Sequence, residues 1–284
     1  MTDLIVGSEG FIGKALTRKC SLSDTLTIDS RDSLQAFINA QKVRHFNSVY
    51  WLAGSAKPSS ESLGSPHNHR DFIDLYCFLS TTTVFNQFVF LSSGGCVYGP
   101  GEGPFDEIGS TSPVNFYGHI KLACENLIKS TIESKACILR LSNVHGASQQ
   151  VKSSQGIIPY WLDAIKNRRK IQVYGSLDDF RDYISIGDAT TAILTVGEQK
   201  LFGTYNIGSG ERISLLEILI MIEQVIGYRP EYEILPRRCG DRKGYSLEIG
   251  KIKDHSTWRP AIDSQKSLKE TMLAMHSNLT ENNS

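Results

Sequence analysis

The chain carries no excess of charge: 30 lysines and arginines balance 30 aspartates and glutamates. It therefore advertises no basic surface for nucleic acid or for an anionic membrane. Long hydrophobic runs are missing too; none approaches the ~20 residues that span a bilayer. The first residues, MTDLIVGSEG, show no basic stretch followed by a long apolar one. No secretory leader is expected, and the reading is cytoplasmic. The six cysteines include no CxxC pair, which argues for reduced thiols rather than a disulfide framework or a zinc ribbon. Among the seven histidines, His67 and His69 lie close together, but no carboxylate or cysteine follows at ligand spacing. No metal site is expected. Repeats and low-complexity tracts are likewise lacking.

What is present is alternation. Short β-rich runs at 4–6, 25–28, 49–53, 88–91 and 136–141 are separated by helical patterns at 11–19, 33–40, 71–84 and 117–130. Such alternation predicts parallel βαβ units with right-handed crossovers, an α/β doubly wound sheet. Continuous apolar runs such as Phe88–Leu91 suit strands covered on both faces. Beyond residue 146 the pieces become shorter and mixed. The expected organisation is a nucleotide-binding domain over 1–146 and a smaller mixed α/β substrate lobe over 147–284, whose chain has room to cross back to the sheet.

The first strand runs into LIVGSEGFIG, with Gly7, Gly10 and Gly13 between strand and helix. Glycines there permit a tight turn and close approach of the backbone to a pyrophosphate, and the helix N-terminus favours its charge. A plain glycine-rich turn would look similar. Asp29 closes the second strand, where a carboxylate can accept from an adenosine ribose and repel a 2′-phosphate. It could equally start an Asx turn, and Arg31 keeps NADP open beside NAD. Further on, NFYGHIKLACENLI places Tyr117 and Lys121 four apart, on one face of a helix. A lysine beside a phenol can lower its pKa toward working pH and fit it for proton transfer.

The motifs VGSEGFIG, YWLAG, FLSSGGCVYG, FYGHIK, LRLSNVHG, VYGSLDDFRDYISIGD, YNIGSG, RCGD and WRP occur in this order. Together they resemble the extended short-chain dehydrogenases/reductases, and within them the NAD-dependent epimerase/dehydratase group that acts on nucleotide sugars. The resemblance covers nearly the whole chain. It implies a Rossmann-like domain with NAD held by Gly7, Gly10, Phe11, Ile12 and Gly13, by Asp29, by Leu52, Ala53 and Gly54, and by Ser92, Tyr117 and Lys121. Tyr117 is implied as general acid/base and Lys121 as its tuner. Asn143, Arg181, Tyr183, Arg238 and Asp241 are implied as ligands of the nucleotide diphosphate. A homodimer built through helices like 71–84 and 117–130 is a common arrangement of the group.

Three positions depart from the pattern. Gly94 stands where the group carries Ser or Thr, so the usual hydroxyl beside Tyr117 is missing. Ser93 is the expected substitute, and Gly94 is expected to make room for the sugar. Asn68 is the nearest candidate for the group's helix Asn. His145 replaces a Tyr and is expected to be packed rather than catalytic. The expected activity is 4-epimerisation of a UDP-hexose with tightly bound NAD; the alternatives are an NAD(P)H-dependent 4-ketoreductase and a non-catalytic NAD-binding protein.

Overall fold

The computed structural model describes residues 1–284 except 21–23, 41, 55–68, 82, 150–155, 239, 262 and 282–284. The elements are β1 (Asp3–Val6), α1 (Phe11–Lys19), β2 (Thr25–Ile28), α2 (Arg31–Asn39), β3 (Arg44–Trp51), α3 (Arg70–Leu79), β4 (Thr83–Ser93), α4 (Gly94–Val97), α5 (Phe116–Ile132), β5 (Ala136–Leu141) and β6 (Asn143–His145). After these come α6 (Ile157–Lys166), β7 (Ile171–Tyr174), β8 (Phe180–Arg181), β9 (Tyr183–Ser185), α7 (Ile186–Glu198), β10 (Gly203–Ile207), β11 (Ile213–Ser214), α8 (Leu215–Ile226), β12 (Tyr232–Leu235), α9 (Gly250–His255) and α10 (Ser264–Glu281).

Six strands form one parallel sheet in the order β10-β5-β4-β3-β1-β2. This is the Rossmann-like doubly wound architecture. Strand alternation sends side chains to two cores. Ile5, Val89, Leu91, Cys137 and Leu139 face α1 and α7. Leu4, Val6, Phe88, Phe90 and Ile138 face α2, α3 and α5. A third core gathers α6, α8 and α10 around Ile171, Val173 and Tyr183. The sheet draws on both sides of residue 146, because β10 pairs with β5 from Gly203↔Cys137 to Ile207↔Leu141.

Several boundaries differ from expectation; β3, for one, begins at Arg44 rather than 49. The helix expected over 71–84 stops at Leu79, and β4 begins at Thr83. The run of threonines at 81–83 explains this: β-branched residues fit a strand better than a helix, and the Thr81 hydroxyl donates to the Phe78 carbonyl at 2.8 Å, closing the last turn. The Gly94–Gly95 stretch opens the short helix α4. Asn68 lies outside the described residues.

The chain leaves β1 for β2 on one side and then returns to β3 on the other. The C-terminal ends of β1 and β3 thus flank a topological switch point, where ligands bind in open α/β sheets.

Candidate functional site

A cleft of about 270 Å³ opens at that switch point, lined by Gly7, Gly10, Asp29, Arg31, Leu52, Ala53, Gly54, Asp71 and Asp74, among others. Its glycines are demanded by geometry. Gly7 has φ +93°, and a Cβ there would lie 2.7 Å from the Ala53 nitrogen. A Cβ on Gly13 would lie 2.1 Å from the Gly7 carbonyl oxygen, so α1 can approach β1 only with glycine there. At Gly10 the nearest atom to such a Cβ is 3.4 Å away, leaving the α1 N-terminus open to a ligand. Tight turn, open backbone and close packing are the three roles of glycine in a dinucleotide fingerprint. Phe11 and Ile12 contribute differently from a side-chain contact: Ile12 packs on the core, and the Phe11 ring lies 3.2 Å from where a Cβ on Gly146 would be.

Asp29 is exposed, and its carboxylate accepts from the Ser33 hydroxyl at 2.6 Å. That bond, first among the causes, holds its pKa below the usual range. Arg31 is spoken for: its Nη2 lies 2.6 Å from Asp74 of α3, in the same cleft.

Beside the cleft, past Gly54, stands α5. Asn115 caps it by accepting from the Gly118 amide at 2.9 Å. Gly118 lets the first turn press on α4, since a Cβ would lie 2.3 Å from the Cys96 carbonyl oxygen. Tyr117, Lys121 and Glu125 then follow at intervals of four along one helix face. The Lys121 ammonium donates to the Leu91 carbonyl at 2.9 Å, and lies 5.8 Å from the Tyr117 ring centroid. A Cβ on Gly54 would come within 3.5 Å of Lys121 Nζ and 3.4 Å of Asp71 Oδ2. Gly54, Asp71 and Lys121 therefore converge. Burial pushes the Tyr117 phenol well up, Cys96 and Asp71 add to this, and a hydrogen bond with Ser93 opposes it. Burial also lowers Lys121. The expectation that Lys121 governs the phenol is thus modified: desolvation is the larger effect in the protein itself.

The two serines before Gly94 part company. Ser92 has the parity of Phe88 and Phe90 and so points under α5, where its hydroxyl donates to Glu125 at 2.5 Å. That hydroxyl is taken up by Glu125. Ser93 ends the strand and reaches Tyr117. The space beside Gly94 is also other than expected. A Cβ there would lie 2.7 Å from Leu247, and one on Gly95 would lie 2.7 Å from the Tyr245 hydroxyl. The glycine pair makes room for the 245–247 segment rather than for the sugar.

The expected diphosphate ligands gather on that side. Tyr245 donates to Asn143 Oδ1 at 2.9 Å. Tyr183 is buried, and burial pushes its phenol up to about 12 against the influence of Arg181 and a bond with Asn143. Arg181 donates to the carbonyls of Phe180 at 2.7 Å, Lys243 at 3.0 Å and Arg242 at 3.0 Å. Arg238 stacks 3.6 Å over the Tyr174 ring. Burial raises Asp241, while Arg181, Arg238 and Arg237 lower it. Arg237, next to Arg238, is committed to Asp179. Asp71, Cys96, Arg242 and Tyr245 were not legible as site residues; no local motif marks them, and only the packing of α3, α4 and the 242–247 segment brings them in. His145 is packed between β6 and α10, bonded to Thr271 at 3.0 Å and near Ser267 at 3.4 Å. Among the described residues no group of His, Cys, Asp or Glu could hold a metal, and no helix is long and apolar enough to cross a membrane.

The dTDP-4-dehydro-6-deoxyglucose reductase of Escherichia coli is 29% identical over 91% of this chain and 92% of its own length. A putative UDP-glucose 4-epimerase of Methanocaldococcus jannaschii is 32% identical over 68% of this chain, a match spanning 64% of that relative. The structure of UDP-glucose 4-epimerase from Thermotoga maritima with UDP-glucose superimposes with a TM-score of 0.84, at 21% identity, over 98% of this chain and all of that one; it shares the fold. The family model for the NAD dependent epimerase/dehydratase family matches residues 4–208. With the glycine cradle at the switch point and the Tyr117–Lys121 face of α5, this chain is an enzyme of the NAD-dependent epimerase/dehydratase family.

Proposed function

We propose that the protein oxidises and re-reduces carbon 4 of a UDP-linked hexose, acting as a 4-epimerase with NAD. The observation that carries this reading is the buried Tyr117–Lys121 pair, whose Lys121 ammonium comes beside Gly54 in the lining of a glycine-built cleft. The cleft fits NAD: Gly7, Gly10 and Gly13 for the pyrophosphate, and Asp29 for the adenosine ribose. When bound there, NAD supplies reversible acceptance of the hydrogen and electron pair from carbon 4. Tyr117 takes the proton from the 4-hydroxyl on oxidation and returns it on reduction. Ser93, beside that phenol, holds the sugar oxygen in line and replaces the side chain missing at Gly94. Lys121, fixed on Leu91, places its charge beside both phenol and cofactor. Arg181, Arg238 and Asp241 hold the diphosphate and ribose. Guanidinium forks match phosphate oxygens, and Asp241 can accept from hydroxyls.

A second reading, 4-ketoreduction, is favoured by the near full-length match to the Escherichia coli reductase. The raised Tyr117 pKa agrees with it, since a protonated phenol is the donor form. The redox balance separates the two. An epimerase interconverts its sugar pair with no net change in nicotinamide absorbance; a reductase consumes one reduced nicotinamide per keto-sugar. Failure of any nucleotide sugar to bind would remove both. A homodimer through α3 and α5 belongs to the same proposal. Leu75 and Phe78 of α3 are buried in the core, and its exposed Ile73 and Tyr76 are side chains available for pairing.

A further inference from the structure

We propose that Arg242 is a sugar-binding residue, whose Nε and Nη1 donate to acceptor oxygens on the hexose, on the Tyr117 side of the diphosphate. The inference rests on the reading of the chain as a nucleotide-sugar enzyme.

Arg242 follows Asp241 directly but is held differently from the arginines around it. Its Nη2 donates to the Tyr98 carbonyl at 2.8 Å and to the Gly99 carbonyl at 3.3 Å. That fixes the plane of the guanidinium. Its Nε and Nη1 are fully buried, and neither has a hydrogen-bond partner among the described residues. Buried donors are almost always paired, and a charged one left alone is the costliest exception. Among the described residues no carboxylate offsets the charge. The groups in electrostatic reach are Cys96, Tyr245 and Arg181, and both burial and Arg181 act against the cation. The rings of Phe105 and Tyr245, with centroids 5.4 and 5.8 Å from the guanidinium carbon, give only distant cover. A guanidinium has donors alone, so its complement is an acceptor oxygen.

Position selects the sugar. Arg238 on Tyr174, with Arg237 and Asp241, marks the nucleotide end of the site. Arg242 instead sits against the chain leaving α4. Cys96 of that helix has Arg242 and Arg181 among its neighbours, and is itself a neighbour of Tyr117. Arg242, Arg181 and Tyr117 thus all lie within electrostatic reach of Cys96.

Calorimetric titration of the NAD-loaded protein with UDP, UDP-glucose, dTDP and dTDP-glucose tests this. The wild type should bind one sugar nucleotide more tightly than its bare diphosphate. R242Q should lose roughly tenfold or more in affinity for that sugar nucleotide, the range of a hydrogen bond to a charged group. Its affinity for the bare diphosphate, its NAD binding and its melting temperature should stay unchanged, and R242K should recover part of the loss. Equal losses for diphosphate and sugar nucleotide would place Arg242 on phosphate and overturn the assignment. No loss, or loss only together with a lowered melting temperature, would make it a structural tie to Tyr98 and overturn it as well. If the wild type binds none of the four, the nucleotide-sugar reading has failed and the proposal falls with it.

Discussion

Two side chains carry distinct and separable tasks. Ser93→Ala removes the hydroxyl that meets Tyr117 while leaving its neighbour Ser92 on Glu125. Turnover should fall at least about tenfold, within the range of acid–base contributions, with NAD binding intact; normal turnover would leave the phenol to act on the sugar directly. At the other end of the cleft, Asp29 should make NAD bind more tightly than NADP. Arg31 could serve a 2′-phosphate, but Asp74 holds it at 2.6 Å. Asp74→Ala should free Arg31 and shift the NADP-to-NAD affinity ratio several-fold toward NADP, read by fluorescence titration. An unchanged ratio would show that Arg31 plays no part in the choice. Tyr117, Lys121 and the glycines were legible because backbone geometry and helix spacing fix their residue types. Asp71, Arg242 and Tyr245 were not, because a single charged or aromatic residue acquires meaning only from what packs beside it.

Among the elements, α5 matters most, and it is pinned from below. Glu125 and Arg140 pair at 2.8 Å with almost no exposure, and Ser92 donates to the same carboxylate. Glu125→Gln leaves a buried guanidinium without its counter-charge, which costs about 3–5 kcal/mol. Urea denaturation should show a loss of that order, and a change below about 1 kcal/mol would contradict the anchoring role. The contact of β6 with α10 carries a pH dependence. Burial lowers His145 from 6.5 to about 4. The unfolded chain takes up this proton from about pH 6.5 downward, whereas the folded one does so only near 4. Stability should therefore be full above 6.5 and fall by about 1.4 kcal/mol per pH unit between those values. His145→Gln should flatten the melting temperature over that window; an equally steep fall in the variant would assign it to other groups. Element types in the first half were legible from periodicity, whereas ends were not. The helical pattern expected up to 84 carries no apolar residue between Leu79 and Val84, and β-branching and the Thr81 bond end the helix there.

At the scale of the whole molecule, the sheet and its switch point followed from strand–helix alternation alone. The return of β10 to the sheet did not, since five residues of GTYNI look like any short edge strand until they pair with β5. That return places α7 on the sheet, and the following chain, through Asp241, Arg242 and Tyr245, comes back against α4 and the chain leaving it. The proposed nucleotide and sugar ends and the cofactor cleft thereby draw on both halves of the sequence. The central claim is proton transfer by Tyr117 at carbon 4 of a nucleotide hexose. Its most direct test is NMR of UDP-glucose and dTDP-glucose incubated with the NAD-loaded protein, wild type against Tyr117→Phe. The wild type should convert one of them to its 4-epimer or, with reduced nicotinamide, the matching 4-keto-sugar to its alcohol. Tyr117→Phe should do so roughly 10²–10⁴ times more slowly while binding NAD and sugar nucleotide normally. Equal turnover by the two proteins would contradict the account.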